Sequence, residues 1–405
     1  MTSPIIEPVT FPQTVVASTD SRTEGGGDLI WINRCPNLFR RPLGAIAWVV
    51  QLVIGTITLL ALLTTTAAIP VLNFFALGYL LEVEGQVARS GKLRHALPLL
   101  PAAMRSGSIV LGVLLCLVPV MLLADVAMDA RLIAPRGTAT WFWIAALLVV
   151  SIVAGTHILL ALSRGGSLGC FVRPIKNARW LREQLRSGGY WSRADRVLRD
   201  FVAALRLSHH FWLGVRGFFG AWVWLALPTA LYGAWWYSGS MWSRVLTLVT
   251  GACFVPVLAW VPFLQVRLAA ENRWSAMFEV RSIRELFRHA PLSWLIATVA
   301  IYALSIPLFL YSLNFRMHAP FRLGIWWDLT CVSIVCTFPA RAALGWAYHR
   351  ATVRSLARIG WVWLIRVLLA GLLGLYVWLL FQTPITHEAR PWQLEHHSLV
   401  LPIPL

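Results

Sequence analysis

Between residues 139 and 162 the chain carries no lysine, arginine, aspartate or glutamate. One continuous apolar run of that length reaches the roughly 18 residues that mark a membrane-spanning helix. Comparable runs recur at 44–64, 67–83, 107–126, 211–236, 245–266, 291–313, 324–345 and 360–381, so nine spans are expected. A transmembrane β-barrel would alternate polar and apolar residues within each segment, and these runs do not. The predicted fold class is therefore an all-α polytopic transmembrane helix bundle. Residues 67–83 are the shortest run, spanning or re-entrant.

Composition agrees. The chain is 58% hydrophobic and 13% charged, with mean hydropathy +0.68, against about 25% charge in soluble domains. Its formal net charge is +18. In a soluble protein that surplus would suggest nucleic acid. Here it reads as basic residues retained on the cytoplasmic side against anionic lipid headgroups, and no nucleic-acid partner is expected. Many of the 22 tryptophans fall near the ends of apolar runs, such as Trp141, Trp143, Trp235 and Trp327, where an amphipathic indole settles at the headgroup level.

Orientation follows from the basic residues. With nine spans and the N-terminus inside, only six of the 35 lysines and arginines face outward: Arg131, Arg136, Arg244, Arg316, Arg322 and Arg390. If 67–83 did not cross, every later loop would invert and the most basic loop would face out, against the positive-inside rule. The C-terminal tail is then outside. The chain divides into a disordered tail and interfacial lead-in (1–43), a first four-span half (44–162), a basic amphipathic loop (163–210), a second four-span half (211–345), a basic loop with the ninth span (346–381) and a tail (382–405). Within 163–210, Val172, Ile175, Leu181 and Leu185 have near-helical spacing opposite Arg173, Lys176, Arg179 and Arg182. Such a helix lies on headgroups or docks a cytosolic protein.

Two stretches share landmarks. Pro70–Leu72 and Pro256–Leu258 are both Pro-Val-Leu, and Arg94–Ala96 and Arg288–Ala290 are both Arg-His-Ala shortly before a proline. Both halves start inside, so they read as two weakly similar parallel halves with the ninth span extra.

Residues Arg273–Pro291 carry Trp274, Ser275, Ala276, Phe278, Val280, Ile283 and Leu286 in a charged turn and short helix between two spans. This resembles a motif of an uncharacterised prokaryotic polytopic membrane family, a domain of unknown function related to the membrane domains of some glycerophosphodiester phosphodiesterases. The resemblance centres on 245–313 and extends faintly to 44–126. It implies a multi-span domain of a prokaryotic cytoplasmic membrane with no assigned activity. No soluble catalytic domain accompanies it here, and no catalytic residue carries over. Independently of the family, Ala276, Val280, Ile283 and Phe287 can share one helical face, and Arg281 and Glu285 form an i,i+4 pair.

Chemistry-bearing residues are few. The six cysteines show no CxxC and no metal spacing and read as small core residues. No HExxH, P-loop or GxSxG motif is present, and no cofactor is implied. The tail cluster His387, Glu388, Glu395, His396 and His397 lacks the fixed surroundings a metal needs. Ionisable groups within spans are costly and mark function. Arg216 and Arg341 lie near inner ends and are expected to snorkel. Arg366 is deeper, about two turns into its span, and reads as a snorkelling arginine or as an anion contact. Arg94, His95, Arg288 and His289 occupy matching places before a proline and are candidate contacts for a phosphate headgroup. These features favour a non-enzymatic integral membrane protein serving membrane organisation, scaffolding or passage of a lipid-like amphiphile. An interfacial lipid-modifying enzyme and a secondary transporter are the alternatives.

Overall fold

The computed structural model describes residues 42–188, 195, 199–238, 243–318 and 323–382. The expected disorder of the N-terminal tail and the histidine cluster of the C-terminal tail lie outside the described residues. Among the described residues there are twelve α-helices and no strand. They are α1 (Pro42–Ala68), α2 (Asn73–Ser90), α3 (Leu100–Ile133), α4 (Thr138–Ser163), α5 (Leu168–Phe171), α6 (Pro174–Ser187), α7 (Leu207–Ser238), α8 (Ser243–Glu271), α9 (Val280–His289), α10 (Pro291–His318), α11 (Leu323–Val353) and α12 (Ile359–Gln382). Short 3-10 turns, Leu93–Ala96 and Trp274–Phe278, follow α2 and α8. The chain is an all-α polytopic bundle.

Among the described residues eight helices are long and apolar enough, by length and composition, to cross a membrane, against nine expected spans. The helix that falls short by composition is α2. The chain turns at residues 69–72 and α2 runs later than 67–83, taking in Glu82, Glu84, Gln86 and Arg89. Those charges lower its hydropathy because its surroundings are protein rather than lipid. From Ala76 to Ala88 nearly every residue is buried, on all faces. Helix α2 is antiparallel to α7, with Phe74 against Phe218 and Glu82 against His209. It is parallel to α11, with Glu84 beside Arg341 and Ala88 beside His349. The start of α7 in turn meets the end of α8, where Arg216 reaches the Asn272 carbonyl at 3.1 Å. So α2, α8 and α11 run the same way, and both 3-10 turns emerge at one end of the bundle.

Small residues allow this closeness. A Cβ on Gly78 would stand 1.7 Å from the His210 carbonyl oxygen, and one on Gly214 would stand 1.9 Å from that of Phe74. Only glycine at both positions lets α2 and α7 touch backbone to backbone. The largest core cluster joins α2, α7, α8, α10, α11 and α12 through residues such as Leu77, Leu213, Phe254, Leu264, Trp294 and Ile365. A second joins α1, α2, the start of α3 and α11 through Leu59, Leu80, Leu100 and Ile334.

The two halves do not pack alike. Helices α3 and α4 bury only 6% and 11% of their apolar windows, whereas α8 buries 56%. Exposed Leu115, Leu122, Ile152 and Val153 line this outlying hairpin, whose apolar sides suit lipid. Helix α6 is tied to the end of α4: Arg164 Nη1 donates to Asn177 Oδ1 at 3.1 Å, and Asn177 Nδ2 donates to the Cys170 carbonyl at 2.6 Å. Its own Ile175 and Leu185, and Val172 just before it, remain exposed.

The snorkelling expected of Arg341 is not what the fold does with it. Arg341 is fully buried, and Nη1 donates to Glu84 Oε2 at 3.1 Å and to Gln265 Oε1 at 2.8 Å. Its carboxylate partner sits on the neighbouring helix at the same depth, so ion pairing removes any need to reach the headgroups. Arg216, in contrast, reaches the exposed turn after α8, where it donates to the Asn272 carbonyl and side-chain oxygen.

Candidate functional site

The site forms around the elbow between α8 and α10. Four charges fix the elbow. Arg267 pairs with Glu271 at 3.0 Å and with Glu279, while Arg273 pairs with Glu271 and, at 3.0 Å, with Glu279. The elbow is therefore not one continuous helix. A 3-10 turn buries Ala276 and Met277, the backbone breaks at Glu279, and α9 follows.

Helix α9 is strongly two-faced. Ile283 and Phe287 are buried in the main core. That leaves Arg281, Arg284, Glu285 and Arg288 on exposed positions, and the arginine spacing of three and four residues puts them on one stripe. The foreseen Arg281–Glu285 pair does not form within 4.0 Å; both side chains instead border a cavity. The wall opposite is the start of α12. Its position is set by two contacts: the Ala357 N–H donates to the Arg288 carbonyl at 3.0 Å, and His289 Nδ1 lies 2.8 Å from the Arg354 carbonyl.

Between these walls lies a cavity of about 470 Å³, bordered by Arg281, Arg284, Glu285, Arg288, Ile359 and Arg366. Four guanidinium groups thus face one carboxylate. The first turn of α12 opens on the same space, and the free N–H groups of a helix N-terminus favour an anion. A second cavity, also about 470 Å³, continues along α12. Its walls are apolar: Pro256, Ala259 and Trp260 from α8, Trp294 from α10, and Leu369 and Leu373 from α12. Arg284 and Arg366 border both cavities, so a charged chamber leads into an apolar groove through these two side chains.

Arg366 is held by aromatic faces. Its guanidinium carbon lies 5.3 Å from the Trp363 ring centre and 5.7 Å from that of Phe287, within cation–π range. No carboxylate pairs with it among the described residues. Beside it, Trp294 is 1% exposed, packs edge-on against Phe287 and stacks on Phe263 with centroids 3.6 Å apart. Its indole N–H is buried with no hydrogen-bond partner. A buried donor without an acceptor costs about 1–3 kcal/mol, so this one calls for an explanation at a cavity wall.

No family model, no curated protein and no solved structure matches this chain.

Two of the five residues singled out from sequence, Arg288 and Arg366, meet at the charged cavity. Arg94 and His95 border neither cavity; they sit on the 3-10 turn after α2, in the elbow of the other half. Burial and the neighbouring cations Arg94 and Lys92 hold the His95 pKa below its ordinary 6.5. His289 is turned onto the Arg354 backbone instead of into the cavity. Arg281, Arg284 and Glu285 join Arg288 and Arg366 at the charged cavity, and their spacing opposite Ile283 and Phe287 is the sequence signal for that grouping. Among the described residues no group of three His, Cys, Asp or Glu side chains is placed to hold a metal.

Proposed function

We propose that this chain is a non-enzymatic multi-pass protein of a prokaryotic cytoplasmic membrane, akin to the domain its elbow resembles, and that it binds an anionic amphiphile at its cytoplasmic end. In this reading the N-terminus is cytoplasmic, and the end bearing both elbows faces the anionic inner leaflet. The observation that carries it is the junction at Arg284 and Arg366 of an arginine-walled cavity with an apolar groove. A charged head and a hydrocarbon tail need those two environments side by side, with the charge at the headgroup level. The cavity wall supports binding over turnover: among the described residues its side chains include no histidine, serine or cysteine, and a base beside a nucleophile is the usual start of hydrolytic chemistry. Helix α6, with exposed Ile175 and Leu185 beside its basic face, would lie on the same headgroup layer.

The test is lipid retention. The full chain is purified in mild detergent from a membrane of mixed lipids, and the lipids that remain are identified by mass spectrometry. Anionic lipids should be enriched over zwitterionic ones, and R284Q and R366Q should lose the enrichment. Equal retention of both lipid types by all three proteins would contradict the proposal.

A further inference from the structure

Resting on that reading, we infer that the head of the amphiphile is a phosphate monoester, and that Arg284 and Arg366 grip it where the cavity meets the groove. Four arginines and one glutamate give this cavity a surplus of three positive charges. The first turn of α12 adds the positive end of a helix dipole. A phosphodiester carries one negative charge; a phosphate monoester carries about 1.5 to 2 at neutral pH and offers three free oxygens. No lysine lines the cavity. Planar guanidinium groups bind phosphate oxygens in pairs, which a point-charge ammonium does not do.

The arrangement favours a terminal phosphate attached to a chain over free phosphate. Arg281 and Arg288 border only the outer cavity, whereas Arg284 and Arg366 border both. A phosphate held by the second pair has its ester oxygen at the mouth of the groove. Its chain then runs past Trp294, which shares the Phe287 ring with Arg366, and between Trp260 and Leu369 toward Pro256 and Leu373. The buried, unpaired indole N–H of Trp294 is a donor available to a polar atom near the head of that chain. Among the described residues Glu285 is the only carboxylate at the cavity, and it disfavours the second negative charge by less than four guanidinium groups favour it.

The experiment uses the full chain in nanodiscs of phosphocholine lipid. Binding is titrated with three probes of identical dioleoyl chains: a terminal phosphate monoester, a phosphoglycerol diester and a further phosphocholine. The inference predicts that the monoester binds about tenfold tighter than the diester at pH 7.5. Its advantage should shrink as pH falls through about 6, where the monoester loses its second charge. The diester does not titrate there, so it reports any protein group that does. Candidates are few: Arg281, Arg284, Glu285 and Arg288 on α9, Arg366 on α12 and no ionisable side chain from α8 or α10 line the two cavities. R366Q and R284Q should abolish the preference, R366K should restore it only in part, and R94Q, on the other elbow, should leave it intact.

Equal binding of monoester and diester, both lost in R366Q, would overturn the inference while leaving the anionic-amphiphile reading standing. Equal binding of all three probes would overturn both. Competition by inorganic phosphate as strong as that by the lipid monoester would show that the site takes free phosphate, and would overturn the role assigned to the groove.

Discussion

Arg341 Nη1 lies 3.1 Å from Glu84 Oε2, with both side chains essentially sealed from solvent. The pair joins α11 to the central helix α2, and Gln265 of α8 completes it at 2.8 Å. Removing one partner strands a buried charge, at a cost of about 3–5 kcal/mol, whereas replacing both with apolar groups can be close to neutral. E84Q and R341M should each lower thermal stability sharply in detergent. The double variant E84Q/R341M should recover much of the loss. If the two single losses simply add, the pair is not coupled and the depth assigned to it is wrong.

The contact between α2 and α7 gives a second prediction. G78A places a methyl group against the His210 carbonyl, which a rigid backbone cannot yield to. Overpacking of this kind costs about 1–3 kcal/mol or more. A fall in folded yield, seen as loss of the monodisperse peak in size-exclusion chromatography, is expected for G78A and G214A. G155A, where added atoms would meet nothing within 4 Å, serves as the control and should behave as the parent.

The class of fold was legible because lipid-facing helices must be apolar across the hydrocarbon layer, and α3 and α4 each carry such a window. The central helix was harder to read for the same reason. A helix shielded on all sides by protein can carry Glu82 and Glu84, and hydropathy alone then shortens it or moves it. The inward turn of Arg341 was hidden because its partner lies 257 residues away in sequence. Arg288 and Arg366 were recognisable singly, one from its motif and one from its depth. Their meeting depends on the return of α12 against α9, a tertiary fact that no local pattern encodes.

His95 provides a pH prediction. Burial, with help from Arg94 and Lys92, depresses its folded pKa below 6.5. Above pH 6.5 the ring is neutral in both states and costs nothing. As pH falls through the unfolded pKa, the unfolded chain takes up the proton first, so folded stability declines until the folded pKa is passed. Histidine-labelled NMR in detergent should show a His95 midpoint below 6.5, and R94Q should move it upward. A midpoint above 6.5 would contradict the environment described.

The most direct measurement for the account as a whole is photocrosslinking from within the bilayer. The full chain is placed in nanodiscs containing an anionic lipid with a diazirine in its acyl chain, and adducts are mapped by peptide mass spectrometry. The account predicts adducts concentrated at 255–260 on α8 and 366–373 on α12, the two sides of the groove, and their selective loss in R366Q. Adducts spread over the outlying α3–α4 hairpin with no enrichment at the groove, and unchanged by R366Q, would show that the groove holds no anionic amphiphile.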